Sequence, residues 1–180
     1  QICSHCEIDR QVHPIGEYSA EISRRFEEHQ AEGCRVLGLA YRITGKQTTI
    51  TREDESGLTF LGFLLFLDPP KKGASKAVER LRQLQVSLKI ITGDSAQVAA
   101  NVSRQIGLDR PRILTGEELH HLSDAALTQR AGTTDVFAEI EPNEKERVIL
   151  ALRRAGYVVG YIGDGINDAA ALHAADVSVS

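Results

Sequence analysis

Methionine is missing from all 180 residues, and the first residue is Gln. A chain of this kind is expected to be a piece from which the start has been cut. Cysteine is scarce: Cys3, Cys6 and Cys34 cannot all pair, so no disulfide framework is expected, and a reducing cytosol is the simplest compartment. Cys3 and Cys6 form a C-x-x-C around His5, yet no second ligand pair follows at zinc-site spacing. That pair is therefore read as incidental. Basic charge is not in excess, with 21 Lys and Arg against 25 Asp and Glu, which argues against nucleic acid as a partner. Long apolar runs are also lacking. The longest, Leu58 to Leu67, is about half of the roughly 20 residues that a membrane-crossing helix needs. No signal peptide, repeat or low-complexity tract is evident.

What is present, 42% apolar and 26% charged residues, suffices for one proper core with a smaller appendage. Up to Leu67 the pattern is sparse. Tyr18, Ile22 and Phe26 recur every four positions, and Gly33 follows as a stop, which predicts a helix over 18–30. Strands are predicted over 35–43 and 58–67, separated by a polar loop. One helix and two strands make a poor domain, so this section reads as the tail of something larger. After Pro70 helices and strands alternate: helices over 74–84, 95–106, 123–127 and 142–155, and strands over 86–91, 112–114, 135–140 and 157–162, the last expected to be buried. Alternation of this kind predicts an α/β fold, a mostly parallel, Rossmann-like sheet with helices on both faces. Its chemistry belongs at the carboxyl ends of the strands.

Three strand ends carry candidate residues. Thr92-Gly93-Asp94 follows the first strand, and Ser95 can cap the next helix; a hydroxyl, a glycine and the free N–H groups of a helix N-terminus suit phosphate. Glu141-Pro142-Asn143-Glu144-Lys145 opens a helix with a lysine where a cation opposes the helix dipole, as a site for an anionic ligand would require. Gly163-Asp164-Gly165-Ile166-Asn167-Asp168 packs two acids and an amide into five positions between glycines. Carboxylates this dense call for a cation, and oxygen-only ligands suit Mg²⁺. Thr92, Lys145 and Asp164 together read as a phosphoryl-transfer site that lacks its nucleophile.

The runs FLDPPK (66–71), KIITGD (89–94), the lysine of EPNEKER and GDGINDAAALHAADVSVS resemble the cytoplasmic headpiece of P-type cation-transporting ATPases, members of the haloacid dehalogenase superfamily, most of all their bacterial magnesium-transporting branch. The resemblance implies an enzyme that hydrolyses ATP through an aspartyl-phosphate formed in the sequence DKTGT, and that couples the cycle to cation movement through a membrane domain. DKTGT is not in this chain. By the resemblance, residues 1–67 are the closing part of the nucleotide-binding domain with a hinge strand, and 68–180 are the phosphorylation domain without its first strand. The parent is then a multi-pass protein of the cell membrane, with this part on the cytoplasmic side. ATP and Mg²⁺ are the implied ligands and a cation the cargo.

The same resemblance implies roles residue by residue. Asp164 is the direct Mg²⁺ ligand, Asp168 supports it, and Asn167 donates to the phosphoryl group. Thr92 and Gly93 bind phosphoryl oxygens, and Lys145 balances charge. Arg35 reaches the nucleotide phosphates, while Asp68, with Pro69 and Pro70 at the hinge, and Asp94 hold the nucleotide. Two positions depart from the family pattern: Glu139 replaces an arginine that contacts the ribose, and Ala170 replaces a proline. Two other readings stay open. A stand-alone phosphatase of the same superfamily would use Asp68, although Pro70 stands two residues on where such a loop places an acid or a lysine. A non-catalytic nucleotide- or Mg²⁺-binding module is the other.

Overall fold

The computed structural model describes every residue except 1, 46–48, 50, 68 and 164–167. The chain divides into two compact units, Gln1–Asp68 and Pro69–Ser180. Among the described residues no helix is long and apolar enough to cross a membrane.

Among the described residues the first unit is a four-stranded sheet in the order β2 (Gln11–Pro14), β1 (Cys3–Ile8), β4 (Leu58–Phe66), β3 (Arg35–Tyr41), with one α-helix. Strand β1 (Cys3–Ile8) turns back on β2 (Gln11–Pro14) through a two-residue connection, Asp9-Arg10, both at positive φ. That backbone is the one whose twist matches a hairpin. Sequence periodicity had not pointed to this hairpin, because polar Ser, His, Asp and Arg interrupt its apolar positions. The C-x-x-C segment is consequently part of a strand, with Cys6 buried and its thiol pKa pushed up by that burial. Strand β3 (Arg35–Tyr41) lies antiparallel to β4 (Leu58–Phe66), and β4 runs parallel to β1. Helix α1 (Ser19–Ala31) brings Phe26 to 6.0 Å from Phe63, which also meets Phe60 at 5.1 Å and the edge of His29. On the opposite face Leu37 and Leu64 pair across the sheet and both are exposed.

The second unit is built differently. A parallel sheet in the order β5-β7-β6 joins β5 (Ile90–Ile91), β7 (Val136–Ala138) and β6 (Ile113–Thr115). All three residues of β7 are 0% exposed. Phe137 points into the larger core with Leu114, Leu119, Leu127, Val148 and Ile149, while Val136 and Ala138 meet Ala99 on the other face. Alternation with both faces covered is the signature of a doubly wound sheet. The coverings come from α3 (Ala96–Gln105) on one side, and from α4 (Gly116–His120), α5 (Asp124–Ala131) and α6 (Pro142–Arg154) on the other. A second parallel pair, β8 (Gly160–Ile162) and β9 (Val177–Val179), follows, with α7 (Ala169–Ala174) between them. Helix α2 (Ala74–Gln83) precedes β5.

The helix signals work as their chemistry dictates. Ser95 and Ser123 accept N–H groups of Val98 and Ala126, and Thr115 and Glu118 form a capping box. Glu141 and Glu144 form another, with Pro142 in the first turn. Two strand expectations are corrected. Only Ile90–Ile91 of the run 86–91 joins a ladder, because β7 offers three residues and the chain at Lys89 instead turns its ammonium onto the carbonyls of Gly132 and Thr134. Desolvation there lowers the lysine pKa. The run 157–162 is not buried throughout. Val159 and Tyr161 face the core, but Val158 and Ile162 are 86% and 81% exposed, so β8 has only one covered face in this chain.

At the amino ends of the strands, Asp135 accepts the Arg112 backbone N–H and takes its guanidinium with both oxygens. The side-chain bonds from Arg112 hold the Asp135 carboxyl below its usual pKa. A folded-state pKa below the unfolded one contributes stability above the unfolded value, near 4, which is lost as pH falls through the folded value. Urea titrations of Asp135→Asn against the parent are therefore expected to show a deficit at pH 7 that shrinks below about pH 4. Phe137→Ala, which empties the core at its centre, is expected to cost about 3–5 kcal/mol in the same assay.

Candidate functional site

The covered faces of the parallel sheet leave its carboxyl end as the place where polar side chains gather. Strand β5 runs out into Thr92-Gly93-Asp94, β7 into Glu139-Ile140-Glu141, and β8 into Gly163. The first two exits are sewn together. The Thr92 amide donates to the Phe137 carbonyl at 2.9 Å, and the Ile140 amide to the Thr92 carbonyl at 3.0 Å. The Glu139 amide donates to the Asp94 carbonyl at 2.9 Å, and the Ala96 amide to Glu139 Oε1 at 3.1 Å. Within the loop, Thr92 Oγ1 accepts the Asp94 amide and donates to Asp94 Oδ2 at 2.9 Å. The α3 N-terminus is thus less open than its sequence suggests. Its Ala96 and Val98 N–H groups are taken by Glu139 and Ser95. Gly93 is not forced by crowding, since a Cβ there would meet only the Ile140 carbonyl at an ordinary 3.6 Å.

The second grouping lies where α6 meets the start of α7. Lys145 Nζ donates to Asp168 Oδ1 at 2.7 Å, with the two side chains 16% and 9% exposed. A pair this dry has an effective dielectric well below that of water, so its geometry is held firmly. Gly163 packs directly on the Asp168 side chain: an added Cβ would fall 2.7 Å from Oδ2 and 2.8 Å from its Cβ. Glycine is required there by space. The start of α6 is fixed by Glu144, a buried carboxylate whose Oε2 accepts the Glu141 amide at 3.0 Å. His120 Nε2 lies 2.8 Å from Oε1, at ion-pair distance without hydrogen-bond geometry. Glu144 and Glu139 were missed as site-shaping residues. The E-x-x-E spacing at 141–144 was a readable capping signal; the fold of Glu139 onto α3 had none.

Thr92, Gly93 and Asp94 share one loop, and Lys145 meets Asp168. Arg35 sits in the first unit, exposed, at the start of β3 opposite Phe66. Asp68, Asp164 and Asn167 lie outside the described residues. Among the described residues no cluster of three or more His, Cys, Asp or Glu could hold a metal. Mg²⁺ needs fewer, because it takes one or two carboxylates and completes its shell with water and phosphate oxygens. Asp168, a buried hard oxygen donor beside a glycine cradle, fits that chemistry. A hydroxyl-bearing loop at one strand exit and a lysine held by a buried carboxylate are the kinds of group that can bind and polarise a phosphoryl group.

Known proteins bear on this geometry. A profile of haloacid dehalogenase-like hydrolases matches residues 7–176. The chain is 44% identical over 157 residues to the magnesium-transporting ATPase, P-type 1, of Salmonella typhimurium strain LT2, covering 86% of this chain and 17% of that protein. Against the protein of the same name from Escherichia coli K12 it is 38% identical over 181 residues, 99% of this chain and 20% of the relative. Calcium-transporting ATPase 1 of Saccharomyces cerevisiae is 37% identical over 155 residues, 83% and 16% of the two chains. The chain therefore spans about a fifth of the length of the curated relatives it matches. A parallel sheet covered on both faces, its polar groups collected at the carboxyl ends of the strands and its sequence matched almost throughout by that profile, makes this chain a member of the haloacid dehalogenase-like hydrolase family.

Proposed function

We propose that this chain is part of the cytoplasmic headpiece of a P-type cation-transporting ATPase of the magnesium-transporting kind, an ATP-hydrolysing translocase that cycles through an aspartyl-phosphate. The observation that carries the reading is the buried Lys145–Asp168 pair at the end of a parallel sheet, in a chain so similar to pumps named for magnesium and calcium. In this reading 1–67 close the nucleotide-binding domain and include the hinge strand, and 68–180 form the phosphorylation domain without its nucleophile strand. Among the described residues β5 pairs only with β7, and β8 only with β9. Each keeps an open edge, and β8 an apolar open face, to which a further strand of the parent can add.

Thr92 and Gly93 take phosphoryl oxygens. To do so the Thr92 hydroxyl turns its proton from Asp94 Oδ2 to the phosphoryl oxygen, and Gly93 admits that oxygen because no side chain shields its backbone. Lys145 balances the charge of phosphate and nucleophile while Asp168 holds its Nζ in place. Asn167 donates to the same group, and Arg35, Asp68 and Asp94 serve the nucleotide in the parent. Asp164, with Asp168 in support, holds Mg²⁺, which when bound neutralises charge on the phosphoryl oxygens. Such preorganised donors contribute roughly 3 kcal/mol each in phosphoryl transfer. The parent is placed in the cell membrane, with this part on its cytoplasmic side.

Incubated alone with ATP and Mg²⁺, the chain is expected to form no acyl-phosphate, as read by intact-mass spectrometry. Phosphorylated Asp68 after treatment with acetyl phosphate would instead assign a stand-alone phosphatase. Calorimetric or NMR titration is expected to show weak Mg²⁺ binding that Asp164→Ala abolishes. An Asp164→Ala titration identical to the parent's would remove the GDGIND loop from the metal site.

A further inference from the structure

Four described non-glycine residues have positive φ. Asp9 and Arg10 form the hairpin turn, and Gln85 follows the end of α2, places where such backbone is routine. Glu139, at φ 61°, is different: it follows directly on the fully buried strand β7. A left-handed glutamate in that position is disfavoured by its own Cβ and persists only where the surroundings over-determine it. The surroundings do so through two bonds. Turning left-handed aims the Glu139 amide at the Asp94 carbonyl and swings Oε1 onto the Ala96 amide. Together with the Ile140 amide on the Thr92 carbonyl, three hydrogen bonds cross between 92–96 and 139–140. Two residues later Pro142 starts α6, the helix that presents Lys145 to Asp168.

We propose that Glu139 is a positioning residue that locks the Thr92–Ser95 loop to the start of α6, so that the loop and Lys145 keep one spacing. Its carboxylate also supplies α3 with an internal anion at Ala96, while Ser95 takes the Val98 amide. An incoming phosphoryl oxygen is thereby directed to Gly93 and away from the helix end. The proposal rests on reading 92–95 as a phosphoryl-binding loop.

The test uses the ¹⁵N-labelled 180-residue chain as the parent, Glu139→Gly, which is at ease at positive φ but lacks the carboxylate, and Glu139→Gln, which keeps an oxygen acceptor. Amide exchange is read at Ala96 and Ile140, and inorganic phosphate is titrated while the Gly93 and Lys145 amides are followed. In Glu139→Gly, exchange at Ala96 and Ile140 is expected to speed up about tenfold, with core amides such as Val148 and the urea midpoint unmoved. Phosphate is then expected to shift Gly93 with about fivefold weaker affinity and to leave Lys145 still, whereas in the parent both move. Glu139→Gln is expected to restore most of both effects. Parental exchange at Ala96 and Ile140, or a parental Lys145 response, in Glu139→Gly overturns the lock. So does global unfolding of that variant, which would make Glu139 merely structural. A parent that shows no phosphate response at Gly93 overturns the phosphoryl-loop reading instead, and the exchange rates at Ala96 and Ile140 then decide the lock by themselves.

Discussion

Strand β7 has no solvent face. Phe137 is packed among leucines and isoleucines from α4, α5 and α6, and Val136 and Ala138 against α3. Polar groups on either face would cost several kcal/mol unpaired, so every functional group the strand positions must come after its last buried residue. That constraint places Glu139, Ile140 and the start of α6 where they are. It also draws the Thr92 loop to the same point, because the backbone leaving β7 supplies the hydrogen-bonding partners of the backbone leaving β5. The site is thus a consequence of how the central strand is buried.

The two units contrast in how much apolar surface they hide. In the second, a continuous cluster runs from Leu114 through Phe137 to Tyr161 and Ala174. In the first, among the described residues, Cys6 and Val36 are the buried apolar ones, and Leu37, Leu39, Leu61 and Leu64 on its sheet are exposed. A sheet that leaves apolar side chains exposed on one face lacks the second packed layer that would bury them. This agrees with a chain that spans about a fifth of its relatives, and it accounts for why the first third of the sequence reads as weakly patterned. Exposed Ile162 on β8, and Val177 and Val179 on β9, are the same phenomenon in the second unit.

Helices were the most legible part of the sequence, because their signals are local. Apolar spacing, with a cap or stop signal at some of the ends, places α1, α2, α3 and α6 to within a residue or two, and Ser95, Thr115 and Ser123 do what hydroxyl caps do. Strands were less legible. The β1–β2 hairpin is carried by polar residues, and β5 keeps two ladder residues of the six in the run 86–91. A strand's extent depends on its neighbour in space, and the neighbour here, β7, is three residues long. The candidate residues were legible as types at strand ends. Their pairings were not, since Lys145 and Asp168 are 23 positions apart and Ala96 and Glu139 are 43 apart.

From the sequence alone follow the α/β alternation, the boundaries of α1, α2, α3 and α6 and the three polar strand exits, because propensity, capping and periodicity act over a few residues and need no knowledge of what packs where. Only the tertiary structure decided that the Thr92 hydroxyl is already engaged by Asp94, that Glu139 closes the α3 N-terminus, and that Lys145 is buried against Asp168. The last two are contacts between segments distant in the chain. They form only once burial of β7 has brought the ends of its neighbours together.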